Sequence, residues 1–308
     1  MAAIAVHGFI NVDLVGKTAA FAGADEEAEL EGVQVFSGGS AANVAVGLAR
    51  LGQEAFFLGA IGDDGYASLL KKELEDVNCD YLQTIPGIVS GTVMVIVDRV
   101  GLRTLYTYPG ANLHYDWSLV PKDFLDRLDY LHASSPAASS LEHLISLKAE
   151  GHKLRLSLDP SKLLTGRGLV FLLPLLRQTD ILFLNEAELH DLFPEQKRGY
   201  AVQELHKLGI GHVFVKLGSQ GAMYSYTAED RRVRSLYHPA LPVEAVDSTG
   251  AGDAFASGVL YALSRSWPAE QVLRLGIELG TRAVAVAGAR TGLPHQAQLN
   301  EMEWLQQK

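Results

Sequence analysis

Cysteine is almost missing from this chain of 308 residues: Cys79 stands alone. One thiol can close neither a disulfide framework nor a cysteine zinc site, which favours a reducing compartment, with the cytoplasm as the best fit. Basic charge is also short, 26 Lys and Arg against 36 Asp and Glu for a formal charge of −10. That balance leaves no basic face for a nucleic-acid backbone or an anionic lipid surface, so neither nucleic acid nor membrane is an expected partner. Long apolar runs are lacking as well. The greasiest stretch, residues 169–176, is interrupted by Pro174 and is far shorter than the ~20 residues of a bilayer span. The ten histidines contain no HExxH and no paired metal spacing. Gly16-Lys17-Thr18 ends like a P-loop, but the glycine required five residues earlier is Asn11. Gly250-x-Gly252 begins a dinucleotide fingerprint whose third glycine is Phe255, near the C-terminus, which argues against a dehydrogenase.

What the chain has is an apolar fraction of 48% against 20% charged residues, the composition of a folded globular protein. The first residues, MAAIAVHGFINVDLVG, carry His7, Asn11 and Asp13 where a signal peptide needs apolar side chains, and read as a first strand. Apolar runs of strand length at residues 4–10, 55–61, 130–133, 154–158, 181–184 and 212–215 alternate with amphipathic stretches of helix length. Those stretches are 41–51, 67–76, 141–150, 186–192, 201–208, 252–264 and 270–286. This rhythm predicts an α/β fold, a mostly parallel central sheet with helices on both faces in a three-layer sandwich. Two stretches, residues 13–36 and 91–109, break it with β-type residues and turn formers, and are expected to form a small separate sheet. Within the second, TVMVIV is apolar on both faces and fits either a strand covered by a cleft and another layer or an ordinary strand of the main sheet.

Chemistry concentrates in DSTGAGD, residues 247–253, followed by a helical apolar pattern. Gly250, Ala251 and Gly252 at a helix start let backbone N–H groups converge on an anion, with the helix dipole adding to the attraction. Asp253 inside this phosphate site opposes an anion unless it accepts a proton from an attacking hydroxyl; it also fits a first-turn acid favoured by the dipole, and the heptad alone does not choose. FSGGSAAN, residues 36–43, offers bare backbone at Gly38 and Gly39 and a donor–acceptor side chain at Asn43, suited to a polyol or to a plain glycine turn. Asn11 and Asp13 follow the first strand at the carboxyl end, where open α/β sheets place ligands.

Together, GFINVD, GGSAAN, GDDG (62–65), GAN (110–112), DP (159–160), NEAE (185–188), KLGSQG (216–221) and DSTGAGD resemble, in their order, the PfkB carbohydrate kinases, the ribokinase-like family. The resemblance implies one kinase domain spanning residues 1–308, with the two excursions as a β-sheet lid that often pairs with a second subunit, hence a homodimer. It implies an ATP-dependent phosphotransferase acting on a hydroxyl of a small sugar, with a nucleoside kinase or a non-catalytic sugar sensor as alternatives. By the same resemblance Asp253 is the base, and the amides of Gly250, Ala251 and Gly252 hold the migrating phosphoryl group. Asn11, Asp13, Gly38, Gly39, Asn43 and Asn112 line the sugar pocket. Asn185, Glu188, Lys216, Gly218 and Gly221 lie near the nucleotide, with Glu188 organising Mg²⁺ through water. Asp247, Thr249, Ala283, Gly288 and Gly292 match a monovalent-cation loop, expected to take K⁺, although Gly292 replaces the usual Ser.

Departures bear on the acceptor. Ribokinases commonly read GGKGAN where this chain has GGSAAN, and a sugar-contacting Glu aligns with Ser134, so ribose itself is disfavoured. The glycine motif is closer to fructokinases, yet DPSK lacks the Arg that often follows there. Arg103, in the second excursion, fits either a contact to a keto-deoxy acid or a solvated side chain.

Overall fold

The computed structural model describes residues 2–302 and 304. Its strands, in chain order, are β1 (Ala3–Gly8), β2 (Asn11–Thr18), β3 (Leu30–Gly38), β4 (Glu54–Leu58), β5 (Ala60–Gly62), β6 (Gln83–Ile85), β7 (Gly91–Val97) and β8 (Arg103–Tyr108). They continue as β9 (Tyr130–Ser134), β10 (Arg155–Asp159), β11 (Ile181–Asn185), β12 (His212–Lys216), β13 (Ala222–Thr227) and β14 (Val233–His238).

Eight of them form the main sheet in the order β14-β13-β12-β11-β10-β9-β1-β4. From β12 to β4 every pairing is parallel; β13 and β14 are antiparallel additions at one edge. Parallel strands run inside a sandwich, so both faces must be apolar. The sequence meets that demand residue by residue: Leu182 and Leu184 enter the core on one face, while Phe183 between them enters the core on the other. There Phe183 stacks on Phe214 with ring centroids 5.1 Å apart, and Phe255 meets both edge-on from the helix Ala251–Ser264. Each such buried ring contributes about 1.5–3 kcal/mol.

Most of the parallel strands lie within a residue or two of the positions their apolar runs predict, but the run at 55–61 divides at Gly59 into β4 of the main sheet and β5, which pairs with β6 in a separate two-stranded sheet. The antiparallel strands β13 and β14 escape that reading because β14 is largely exposed and carries no apolar run. A helix at Leu169–Leu176 also escapes it, since Pro174 and an apolar composition all round hide the amphipathic period. Two predicted helices end early. Residues 67–76 hold a helix only over Ala67–Lys72, which tightens into three-residue turns such as Leu74 N–H to Lys71 O at 3.1 Å, and residues 141–150 only one over Leu141–Ser146.

A second sheet has the order β3-β2-β7-β8, with β2 and β7 parallel and the outer pairings antiparallel. TVMVIV therefore belongs here and not to the main sheet. In register across four strands, Val35, Leu14, Met94 and Tyr106 share one face, while Asp13 and Val93 share the other. Val93 and Val95 are buried, whereas Met94 is 52% exposed. The small sheet thus covers the molecule with one face and leaves an apolar face open. No helix among the described residues is long and apolar enough to cross a membrane.

Candidate active site

The carboxyl ends of β1, β10, β11 and β12, the start of the helix Ala251–Ser264 and one face of the small sheet surround a single polar region, as the topology of an open α/β sheet dictates. At its centre is the loop 247–250. Gly250 caps the helix with φ 75°, a left-handed conformation, and a Cβ there would meet the Ala289 carbonyl oxygen at 2.6 Å. Only glycine satisfies both constraints. The first-turn N–H groups that follow have no carbonyl one turn earlier to bond and remain available to an anion. Ala251 N–H reaches only the Ser248 carbonyl, at 3.4 Å.

Asp253 lies in that first turn. Its Oδ2 accepts from Asn43 Nδ2 at 2.8 Å. Burial pushes its carboxyl up to about 7, Asp159 adds to the rise, and hydrogen bonds from Asn43 and Ser40 together with the Lys216 ammonium oppose it. A carboxylate whose proton affinity lies near neutrality is suited to taking a proton from an alcohol. Asn43 reaches it from the helix Ser40–Arg50, whose N-cap, Gly39, has φ 94°, with the Phe9 carbonyl packed where a Cβ would stand.

Asp13, on β2, packs against Gly38 so closely that no Cβ fits there. Burial raises its carboxyl to about 6 against the pull of Arg290, and its Oδ1 is buried without a hydrogen-bond partner. An unpartnered buried acceptor is costly, and a hydroxyl donor would satisfy it. Ser134 Oγ, at the end of β9, is likewise buried and unpartnered. Asn112, expected at the sugar pocket, is hydrogen-bonded between the two sheets. Its Oδ1 accepts from Ile10 N–H at 2.9 Å, and its Nδ2 faces the Ile10 and Pro109 carbonyls and Asn11 Oδ1 at 2.9–3.0 Å. The side chain braces the junction between the two sheets, and Asn11 joins it there.

On the other side, Lys216 ends β12 and pairs with Asp159 of β10, Nζ to Oδ2 at 2.5 Å. Burial lowers its proton affinity, but Asp159, Glu188 and Asp253 outweigh that and leave it above the usual lysine value. Its Nζ lies 3.2 Å from where a Cβ on Gly252 would be, so a positive charge stands beside the helix start. Asn185 and Glu188 form a capping box for the helix Glu186–Leu192: Asn185 Oδ1 accepts from Glu188 N–H at 2.9 Å and Glu188 Oε2 accepts from Asn185 N–H at 2.8 Å. The spacing N-x-x-E after a strand carries that signal in the sequence itself. Glu188 is also held above the ordinary carboxylate value, by burial first and then by Asp159. Gly218 opens a short turn with nothing within 4 Å of its Cβ position, and Gly221 closes that turn by donating to the Gly218 carbonyl at 3.0 Å.

Among the described residues no three His, Cys, Asp or Glu side chains converge as a metal cage. Mg²⁺ asks for less, one or two carboxylates beside substrate phosphates and several waters. Glu188 and Asp159, coupled through Lys216, fit that requirement. The structure brings Asp247, Thr249, Ala283, Gly288 and Gly292 into one corner, where Asp247 Oδ1 accepts from Thr249 N–H and Oγ1 at 2.9 and 2.6 Å, and Oδ2 from Gly288 N–H at 3.0 Å. Arg103 adds its guanidinium 3.7 Å from Oδ1 and donates to Thr249 and Ser248 hydroxyls at 2.8 and 2.9 Å. These bonds hold the Asp247 carboxylate, the one carboxylate of the set, against the loop and the second excursion.

Sequence reasoning passed over two site residues. Asp159 is named there only as part of a motif, although a strand-terminal Asp-Pro is a usable signal. Arg290 gives none, because its partners lie far away in the chain.

Comparison with known proteins agrees with this fold. Residues 1–296 match the family model described as pfkB family carbohydrate kinase. An uncharacterized sugar kinase of Archaeoglobus fulgidus is 33% identical over 253 residues, 81% of this chain and 98% of that one. Bacillus subtilis ribokinase is 27% identical over 97% of this chain and 98% of its own. The structure of Arabidopsis thaliana ribokinase complexed with ribose and ATP superposes with a TM-score of 0.85 at 25% identity, covering 98% of both chains.

Proposed function

The chain belongs to the pfkB family of carbohydrate kinases, which are ATP-dependent, and on that premise we propose that Asp253 is the base that readies the acceptor hydroxyl. The acceptor is a small sugar such as ribose, fructose or a keto-deoxy sugar acid, phosphorylated on a primary alcohol. The observation that carries this reading is the Asp253 carboxylate, raised to about 7, in the first turn of a helix whose N-terminal amides are open to an anion.

The hydroxyl proton passes to Asp253 as the sugar oxygen bonds to the γ-phosphorus, the bond from that phosphorus to the bridging oxygen breaks, and ADP leaves. The transition state is loose, so the protein's task is positioning and charge stabilisation. Asp13 Oδ1 accepts from a sugar hydroxyl, which supports polyol recognition on the small-sheet side. Amides of Gly250, Ala251 and Gly252 face the migrating phosphoryl group, and Lys216 offsets its charge from the nucleotide side. Mg²⁺, when bound with the nucleotide, supplies further neutralisation on the phosphates, held through water by Glu188 and Asp159. The small sheet acts as a lid that keeps water, a competing acceptor, from the phosphoryl group.

The test is ADP release with a panel of ribose, fructose, 2-keto-3-deoxygluconate and nucleosides. Saturable turnover with one of the sugars is expected. Saturable sugar binding with no ADP formed would leave a sensor instead, and turnover with nucleosides alone would replace the acceptor class.

The open apolar face of the small sheet, with Val33, Val35, Met94 and Tyr106 exposed, supports a homodimer formed lid to lid. Sedimentation equilibrium at micromolar concentration should give the dimer mass; a monomer throughout would overturn this.

A further inference from the structure

Arg290 is the most deeply placed cation around the site, 5% exposed in the loop after the helix Ala269–Val284. Its Nε–H donates to Asn43 Oδ1 at 2.8 Å, while its two terminal nitrogens donate to the carbonyls of Gly38 at 3.1 Å and Glu73 at 3.2 Å. Asn43, 3% exposed, donates in turn from Nδ2 to Asp253 Oδ2 at 2.8 Å. We propose that Arg290 is a positioning residue for phosphoryl transfer, holding the Asn43 amide with its NH₂ toward Asp253 so that the base keeps one oriented oxygen for the acceptor hydroxyl. This rests on the reading of Asp253 as base.

An asparagine amide can turn end for end inside its own volume, and what decides the orientation is which neighbour only donates and which only accepts. Guanidinium has donors and no acceptor; an ionised carboxylate has acceptors and no donor. Between them, Asn43 has one satisfied orientation. Turned over, it would set NH₂ against the guanidinium and Oδ1 against the Asp253 carboxylate, leaving both buried contacts repulsive. A bracing role alone would not require a cation, since a neutral side chain could bridge the carbonyls of Gly38 and Glu73 without burying a charge. Burial works against the guanidinium charge, while Glu73, Asp13 and Asp253 favour it and Arg50 opposes it.

The two roles separate in a set of variants. In Arg290→Gln, Nε2 occupies the same place along the side chain as the arginine Nε, so the donor to Asn43 is kept while the bonds to Gly38 and Glu73 and the charge are lost. Arg290→Met loses every donor. With ADP release assayed on the best acceptor, Arg290→Met should lower kcat about 10- to 100-fold with both KM values within about threefold, and Arg290→Gln should recover kcat to within about threefold of wild type. Combined with Asn43→Ala, the Met substitution should cost less than about twofold further, since its effect runs through the amide. Equal loss in the Gln and Met variants, or losses that multiply in the double variant, would overturn the proposal in favour of simple bracing. If Arg290→Met does not fold, Arg290→Lys replaces it: lysine keeps the charge without a donor at Nε, so it should be slower than Gln, and the reverse order contradicts the proposal. Asp253→Asn separates this inference from its premise. An inactive Asp253→Asn beside fully active Arg290→Met and Asn43→Ala variants removes the role of Arg290 alone, whereas an active Asp253→Asn removes the base itself.

Discussion

Two aspartates stand at the ends of one seven-residue segment, Asp247 in its loop and Asp253 in the first turn of the helix that follows, and their surroundings have opposite effects. Asp247 is supplied on every side: Thr249 and Gly288 donate to its oxygens and Arg103 stands near, so despite partial burial its carboxyl falls below the usual value. Asp253 is buried with few donors, beside Asp159, and rises to about 7. A carboxylate whose acceptors are filled fixes a loop; one left with a strong affinity for a proton can do chemistry. The loop between them puts the anion-binding helix start at a fixed place between a structural and a reactive acid.

The comparison is most easily broken at Asp253. Asp253→Asn keeps the shape and the contact with Asn43 but cannot take a proton, so kcat should fall by about 10² or more with little change in KM. Steady-state kinetics with the identified acceptor check this. Asp247→Ala should act on stability first. Losing the acceptor for Thr249 and Gly288 should cost about 2 kcal/mol, read as a melting temperature lower by about 5 °C, with kcat down less than about tenfold. The sign with pH follows from the lowered carboxyl: the stabilisation from Asp247 is present above the unfolded-state value and disappears as pH falls through the folded one. Melting curves of both variants across pH, set beside their rates, give the sharpened comparison.

Much of this was visible in the sequence because local patterns carried it. Parallel strands such as β11 announce themselves because both faces are apolar, and DSTGAGD announces a helix start open to an anion because small residues precede an apolar helical period. β14 was hidden because an exposed edge strand needs no apolar run. TVMVIV looked the same for either sheet, and only pairing with β2 and β8 decided that Val93 would be covered and Met94 left open. The sequence also could not show that Asn112 would bridge to the first strands, since its hydrogen-bond partners Ile10 and Asn11 lie about a hundred positions earlier. Arg290 is the extreme case: a single charged residue in a glycine-containing loop is ordinary until the fold buries it against Asn43.

The pH dependence of kcat/KM for the sugar tests the central claim most directly, because it reports the proton that the base must lose before it can act. With Asp253 raised to about 7, the rate constant should fall on the acid side along a single-proton limb with its midpoint near 7, dropping about tenfold for each further unit. A rate that stays level from pH 8 down to pH 5, with the protein still folded, would mean that the carboxylate at the head of that helix is not the group that takes the proton.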